Sequence, residues 1–366
     1  MPASGKLFHR IRTRLQPDEV RIPIQTAAAV LIAYFATSFM ETEEVSWGVF
    51  SALFVVQASI GGTIGAALGR IAGAVLGAAI AVALVMLLGV GGWGKLAALL
   101  GGVGLMSFMA ARWPDLAYGL VTVTIITVAP DFHVIEGAFR KVLAIAIGST
   151  CGMVAAFAVM PVRARRTEQQ YLATALRGCG AHVLECTACL VHEKQDKDRK
   201  TLDTIQRSIE RARLMAREAR IEEHTPAMGF SPFSRSLGPE IERFAYTLTL
   251  VDRFSDKPIS EDLCRAHKEA LLELATTVKA CLDRIADAVE DGKSCEDFDD
   301  AWGVYKAFEA RVSASLKESR LPDDDKEQIA SIKRAYSSVL SSLADLACQV
   351  QERQGGASVS ARHERQ

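Results

Sequence analysis

The sequence predicts an all-α protein: a six-helix transmembrane domain followed by a cytoplasmic antiparallel helical bundle. Three observations predict it. Residues 45–69 are 25 in a row without a charge, and after Arg70 the run 71–94 adds 24 more. Runs of this length read as membrane spans. Charge is split along the chain: residues 1–162 carry 10 Lys/Arg and 8 Asp/Glu, and residues 163–366 carry 32 and 35. In the charged part, apolar positions such as Leu263, Leu271, Leu274, Val278, Leu282 and Ile285 recur at helical intervals.

Four segments follow: a cytoplasmic N-terminal segment (1–21), a membrane domain (22–162), a cytoplasmic helical domain (163–353) and a disordered tail (354–366). The first segment is basic, with Lys6, Arg10, Arg12, Arg14 and Arg21, and reads as a short amphipathic stretch. Predicted spans are 22–40, 45–59, 65–90, 93–111, 116–129 and 137–159. Span 1 has basic flanks like a signal peptide, but more spans follow at once, so it reads as uncleaved. Its exit, Glu41-Thr42-Glu43-Glu44, is acidic. Gly61-Gly62 is expected to break span 2. Span 3 carries Gly69, Gly73 and Gly77 every fourth residue, a ridge that admits a close neighbour. Pro130 and Pro161 end spans 5 and 6. With both termini cytoplasmic, Arg70, Arg112, Arg163, Arg165 and Arg166 join the basic N-terminus inside, as the positive-inside rule asks.

The spans fit a 3+3 inverted repeat. Trp47-Gly48-Val49 opens span 2 and Tyr118-Gly119-Leu120 opens span 5; Arg70 and Arg140 follow at similar distances. Spans 2 and 5 are also the short ones, and short spans at matching places in inverted halves point to a substrate site near the midplane. Arg70 and Arg140 are the sharpest candidates, because a guanidinium is always charged and grips a carboxylate bidentately. The competing and commoner reading of each is an anchor at the headgroup level, binding lipid phosphate and setting topology. Gln57 offers hydrogen bonds to substrate or to a neighbouring helix. Trp47 and Tyr118 offer aromatic faces to substrate or to the membrane interface. Asp131 and His133 form a weaker candidate proton relay, since His titrates near neutral pH.

The predicted helices of the second half are 163–193, 197–224, 237–255, 260–291, 296–319 and 323–353, with capping-box spacing from Ser294 to Asp297. Cys179, His182, Cys186, Cys189 and Glu193 share one helix face, but a straight helix spreads them over about 20 Å, so they read as core and no metal is expected. The Arg207, Arg211, Arg213, Arg217 and Arg220 row reads as a solvated face with ion pairs, or as a contact for anionic lipid. Seven of the eight cysteines follow residue 162 and read as free thiols in a reducing compartment. No phosphate loop or nucleophile triad is present, so no enzyme activity and no cofactor are expected. A net charge of −1 gives no case for nucleic acid.

Trp47 with Gln57, Leu68-Gly69-Arg70-Ile71-Ala72-Gly73, and the closing run 138–148 with Met160-Pro161 resemble the fusaric acid resistance and aromatic acid exporter superfamily. The resemblance covers about residues 20–165. It implies a bacterial inner (plasma) membrane transporter subunit that exports small organic anions, aromatic carboxylic acids included. Where the family often has Pro after the Gln, this chain has Ala58-Ser59. Many such exporters carry two membrane units per chain; this chain carries one, which implies a homodimer. The partners expected are membrane lipid and the anion. A passive anion channel, or a scaffold whose bundle binds a protein, remain open alternatives.

Overall fold

The computed structural model describes residues 17–39, 45–89, 91–128, 134–192, 199–223, 237–255, 259–291, 299–318 and 322–363. The regular elements among them are all helical. In order they are α1 (Pro17–Phe39), α2 (Val45–Val55), α3 (Ile60–Leu88), α4 (Gly92–Arg112), a 3₁₀ turn (Pro114–Leu116), α5 (Tyr118–Val128), α6 (Val134–Ala158), α7 (Ala164–Leu190), α8 (Arg199–Glu223), α9 (Gly238–Ser255), α10 (Glu261–Asp291), α11 (Asp299–Glu318) and α12 (Asp323–His363). They form two compact units, one of residues 1–164 with 218–228, the other of 165–217 with 229–366. Asp131, His133, Glu41 to Glu44, Glu193 and the capping box at Ser294 lie outside the described residues.

In the first unit, four helices among the described residues are long and apolar enough to cross a membrane: Val20–Phe39, Ile60–Leu88, Gly92–Arg112 and Ile135–Ala158. The two others, α2 and α5, have 11 residues each, about 16 Å of helix. Large apolar side chains such as Phe35, Leu87, Phe108 and Phe139 point outward, which suits lipid and not water. The interior is built from small residues instead. Ala29, Ala33, Ala52 and Ala155 form one cluster, and Ala78, Ala81, Ile126 and Ala138 another. Apolar burial drives little between helices in lipid, so close backbone approach takes over. A Cβ on Gly77 would sit 2.5 Å from the Gly119 carbonyl oxygen, and one on Gly148 would sit 1.9 Å from that of Gly48. The Gly69–Gly73–Gly77 ridge therefore receives the start of α5 and the turn before it.

The break before α3 falls at residues 56–59, not at Gly61-Gly62 as expected. Both glycines are in the first turn of α3, because Ser59 caps it. The Ser59 hydroxyl accepts from the Gly62 N–H at 2.9 Å, and Thr63 Oγ1 accepts from the Gln57 N–H at 3.0 Å. Glycine suits the place for another reason: a Cβ on Gly61 would meet the Glu218 carbonyl oxygen at 2.1 Å. Two buried polar residues of α1 satisfy carbonyls left over by the chain breaks. Arg21 donates to Ala58 O at 2.5 Å and Gln25 to Val159 O at 2.5 Å. In hydrocarbon each such carbonyl left alone costs several kcal/mol.

Glu218 and Glu222, at the end of α8, complete the first unit. Glu218 accepts from the Ser59 hydroxyl. Glu222 Oε1 accepts from the N–H of Gly61 at 2.8 Å and of Ala164 at 2.9 Å. One carboxylate thus caps the N-termini of both α3 and α7. Burial pushes the Glu222 carboxyl up from its ordinary range, against the pull of these two amides.

The second unit has one continuous core drawn from α7 to α12. Leu271, Leu274, Val278, Cys281, Leu282 and Ile285 of α10 are all fully buried in it. Tyr336 is buried and shares a 2.5 Å hydrogen bond with Thr187. Burial pushes the Cys179 thiol up to about 12. The described cysteines form no disulfides. In the basic row of α8, Arg207 lies 3.6 Å from Asp203, Arg213 pairs with Glu242, and Arg211 stands over Tyr171 at 5.6 Å. Helix α12 runs to His363, so residues 354–363 are helical where a disordered tail is expected. Once a helix is nucleated, each further residue adds a hydrogen bond, and Gly355-Gly356 does not stop it.

Candidate functional site

Helix α3 begins at its Ser59 cap and carries Arg70 about three turns in, some 15 Å along the axis. The guanidinium lies in a slot between two aromatic rings. Its carbon is 4.0 Å from the centre of the Tyr118 ring and 5.3 Å from that of Phe54. Tyr118 is brought there by the glycine contact: Gly119, the next residue, is seated on Gly73 and Gly77. Phe54 comes from the last turn of the short α2. The Nε of Arg70 is buried without a hydrogen-bond partner, and no carboxylate pairs with Arg70 among the described residues. Two aromatic faces offset about 2 kcal/mol each for a desolvated cation. Arg70 is half-buried, and a cation held part-way out of water in a membrane helix is costly without a counter-charge.

The other sequence candidates stand elsewhere. Trp47 opens α2, is half-buried, and stacks obliquely on Phe50 at 6.3 Å. Gln57 lies in the break between α2 and α3 with its side chain exposed. Arg140 is exposed and forms an i,i+4 pair with Glu136 at 2.7 Å. The structure brings together Arg70 and Tyr118 and leaves these three apart from them.

Two residues were not singled out by sequence. Phe54 has no polar signal and is indistinguishable from any lipid-facing Phe until its contact is seen. Lys141 carries a clearer signal. The glycine pairs Gly48/Gly119 and Gly77/Gly148 are both 71 residues apart, as are Trp47 and Tyr118. At that spacing Gly73 matches Ala144, and Arg70 matches Lys141, not Arg140. Lys141 is buried, at 9% exposure, while Arg140 faces outward.

Packing follows the same exchange. Helix α3 packs on α5 as α6 packs on α2, α1 on α2 as α4 on α5, and α1 on α6 as α4 on α3. Residues 29–155 match the family described as fusaric acid resistance protein-like. Over that stretch the chain is similar to the family. No curated protein matches the chain. The matched stretch runs from α1 to the end of α6 and contains Phe54, Arg70, Tyr118 and Lys141. The four long apolar helices and this likeness together mark a multi-pass membrane protein.

Proposed function

We propose that the protein is an inner-membrane transporter subunit that exports small organic anions, with aromatic carboxylates as the preferred class. One observation carries this: Arg70 offers a half-buried guanidinium, its Nε buried and unpartnered, flanked by the rings of Tyr118 and Phe54. A carboxylate would answer the charge, and an aromatic body would stack where the rings already bracket it. The domain is taken as six spans in two inverted three-helix repeats, with both termini cytoplasmic. The paired packing and the shared 71-residue spacing support that architecture. In such a repeat, Lys141 occupies in the second half the place of Arg70 in the first, so an anion released by one cation meets another across the domain.

The test is efflux of an aromatic acid panel from loaded cells, at matched membrane levels of each variant. Wild type exports at least one member, and Arg70→Ala loses that export. Tyr118→Leu, which keeps the charge and removes the ring, lowers export of aromatic more than of aliphatic acids. Export unchanged by Arg70→Ala overturns the proposal. Export by wild type that follows the membrane potential alone indicates a channel.

A further inference from the structure

Within the second unit, α7 places His182 and Cys186 one turn apart, and α9 brings Asp252 against both. The His182 Nε2 lies 3.3 Å from Asp252 Oδ1 and 3.4 Å from Cys186 Sγ, and Sγ lies 3.7 Å from the same Oδ1. All three donor atoms fall within 4.8 Å of one another. Cys179, His182, Cys186 and Cys189 along α7 do not form a site by themselves, as the helix geometry requires. Two of them do so with a third residue supplied by tertiary packing.

The distances carry chemical information. Around a tetrahedral zinc ion, with ordinary ligand bonds, the donor-to-donor edges are about 3.3 Å for N–O and about 3.5 Å for both N–S and S–O. The three observed edges fall within about 0.2 Å of these values. The orientation also argues against a catalytic relay. A Cys–His–Asp relay needs the thiol and the carboxylate on opposite ring nitrogens. Here both approach Nε2, and Nδ1 is farther from Sγ, at 3.9 Å. Three donors aimed at one point make a ligand face.

We propose that His182, Cys186 and Asp252 bind one divalent transition-metal ion, zinc by the softness and number of the donors, with the fourth position open to a cavity. That cavity, about 430 Å³, lies among α7, α8 and α9, and His182 and Asp252 form part of its wall. Cys186 lies behind them, fully buried, while Asp252 is one-third exposed. The Arg213–Glu242 ion pair and Tyr246 line the same cavity. A water or a small anion completes the coordination there, which is the arrangement of an open and not a purely structural zinc site. Metal binding takes the thiol proton from Cys186 and releases it to solvent, so uptake weakens as pH falls.

The test uses the full-length protein in detergent, stripped with a chelator and titrated with Co²⁺ and then Zn²⁺. Wild type takes up one equivalent of Co²⁺ with a thiolate-to-cobalt charge-transfer band, and Zn²⁺ displaces it. Cys186→Ser abolishes the band. Second-sphere changes alone cost about 10- to 100-fold in affinity, so loss of a direct ligand in Asp252→Asn weakens Zn²⁺ binding by at least about tenfold. Cys348→Ser, at an exposed thiol, leaves band and affinity unchanged. Circular dichroism of each variant checks that the helices remain. Absence of one-equivalent uptake by wild type, or a band that survives Cys186→Ser, means a hydrogen-bonded core triad only and overturns the proposal.

Discussion

Glu222→Ala removes the one acceptor shared by the N–H groups of Gly61 and Ala164. Both donors are buried, and a buried donor left unsatisfied costs about 1–3 kcal/mol. The pair therefore predicts a loss of about 2–6 kcal/mol. Glu222→Gln keeps an amide oxygen at the same reach and drops only the charge. Burial already disfavours that charge, so the Gln variant loses less than about 1 kcal/mol. The pH dependence follows from the raised carboxyl. The folded state holds the Glu222 proton more tightly than the unfolded chain, whose value is near 4.5. This contribution is fully present below that pH and is lost as pH rises through the higher folded value. The stability of wild type relative to Glu222→Gln thus declines as pH rises above about 4.5. Tryptophan-detected melting in detergent measures the stabilities, and hydrogen exchange of peptides covering 59–66 and 162–168 reports the two amides. Glu223→Ala, one residue on, is the control. Equal melting and equal exchange of Glu222→Ala and Glu223→Ala would refute the capping argument.

Gly148→Leu forces a side chain onto the Gly48 backbone, 1.9 Å from the new Cβ, and costs upward of about 3 kcal/mol because backbone cannot swing aside; Gly104→Ala, with open space around it, is tolerated in the same melting assay. Arg140→Ala removes an exposed i,i+4 pair worth about 0.3–0.5 kcal/mol and keeps export. Lys141→Ala loses export, and the reverse ranking would restore Arg140 as the partner of Arg70. Alkylation of native protein at pH 8 labels Cys348, which is exposed, and spares Cys179, which is buried with its thiol held at about 12; mass spectrometry of the peptides decides.

The helical content and the order of the helices were legible, because they rest on local signals: uncharged runs, helical spacing in α10, and Pro or Gly stops; several ends lie three to ten residues from where those signals put them, as at the start of α1 and α3 and the end of α12. The short α2 and α5 were legible for the same reason. The break at 56–59 was displaced because Gly61-Gly62 looks like punctuation, whereas the Ser59 cap and the approach of Glu218 decide the start of α3. Arg70 and Tyr118 were both visible as residue types; that they stack depends on Gly119 docking on Gly73 and Gly77, a tertiary event. The sequence pairs Arg70 with Arg140 because arginine matches arginine, whereas the 71-residue glycine spacing matches Arg70 with Lys141. Asp252 was invisible as a partner of His182 because 70 residues separate them, and no local rule joins α7 to α9.

The central claim is that Arg70 holds a carboxylate between aromatic rings. The most direct measurement is calorimetric binding of an exported aromatic acid, and of its uncharged amide, to purified protein in nanodiscs. The account predicts that wild type binds the acid and not the amide, that Arg70→Ala binds neither, and that Arg140→Ala binds the acid like wild type. Acid binding that persists undiminished in Arg70→Ala would contradict it.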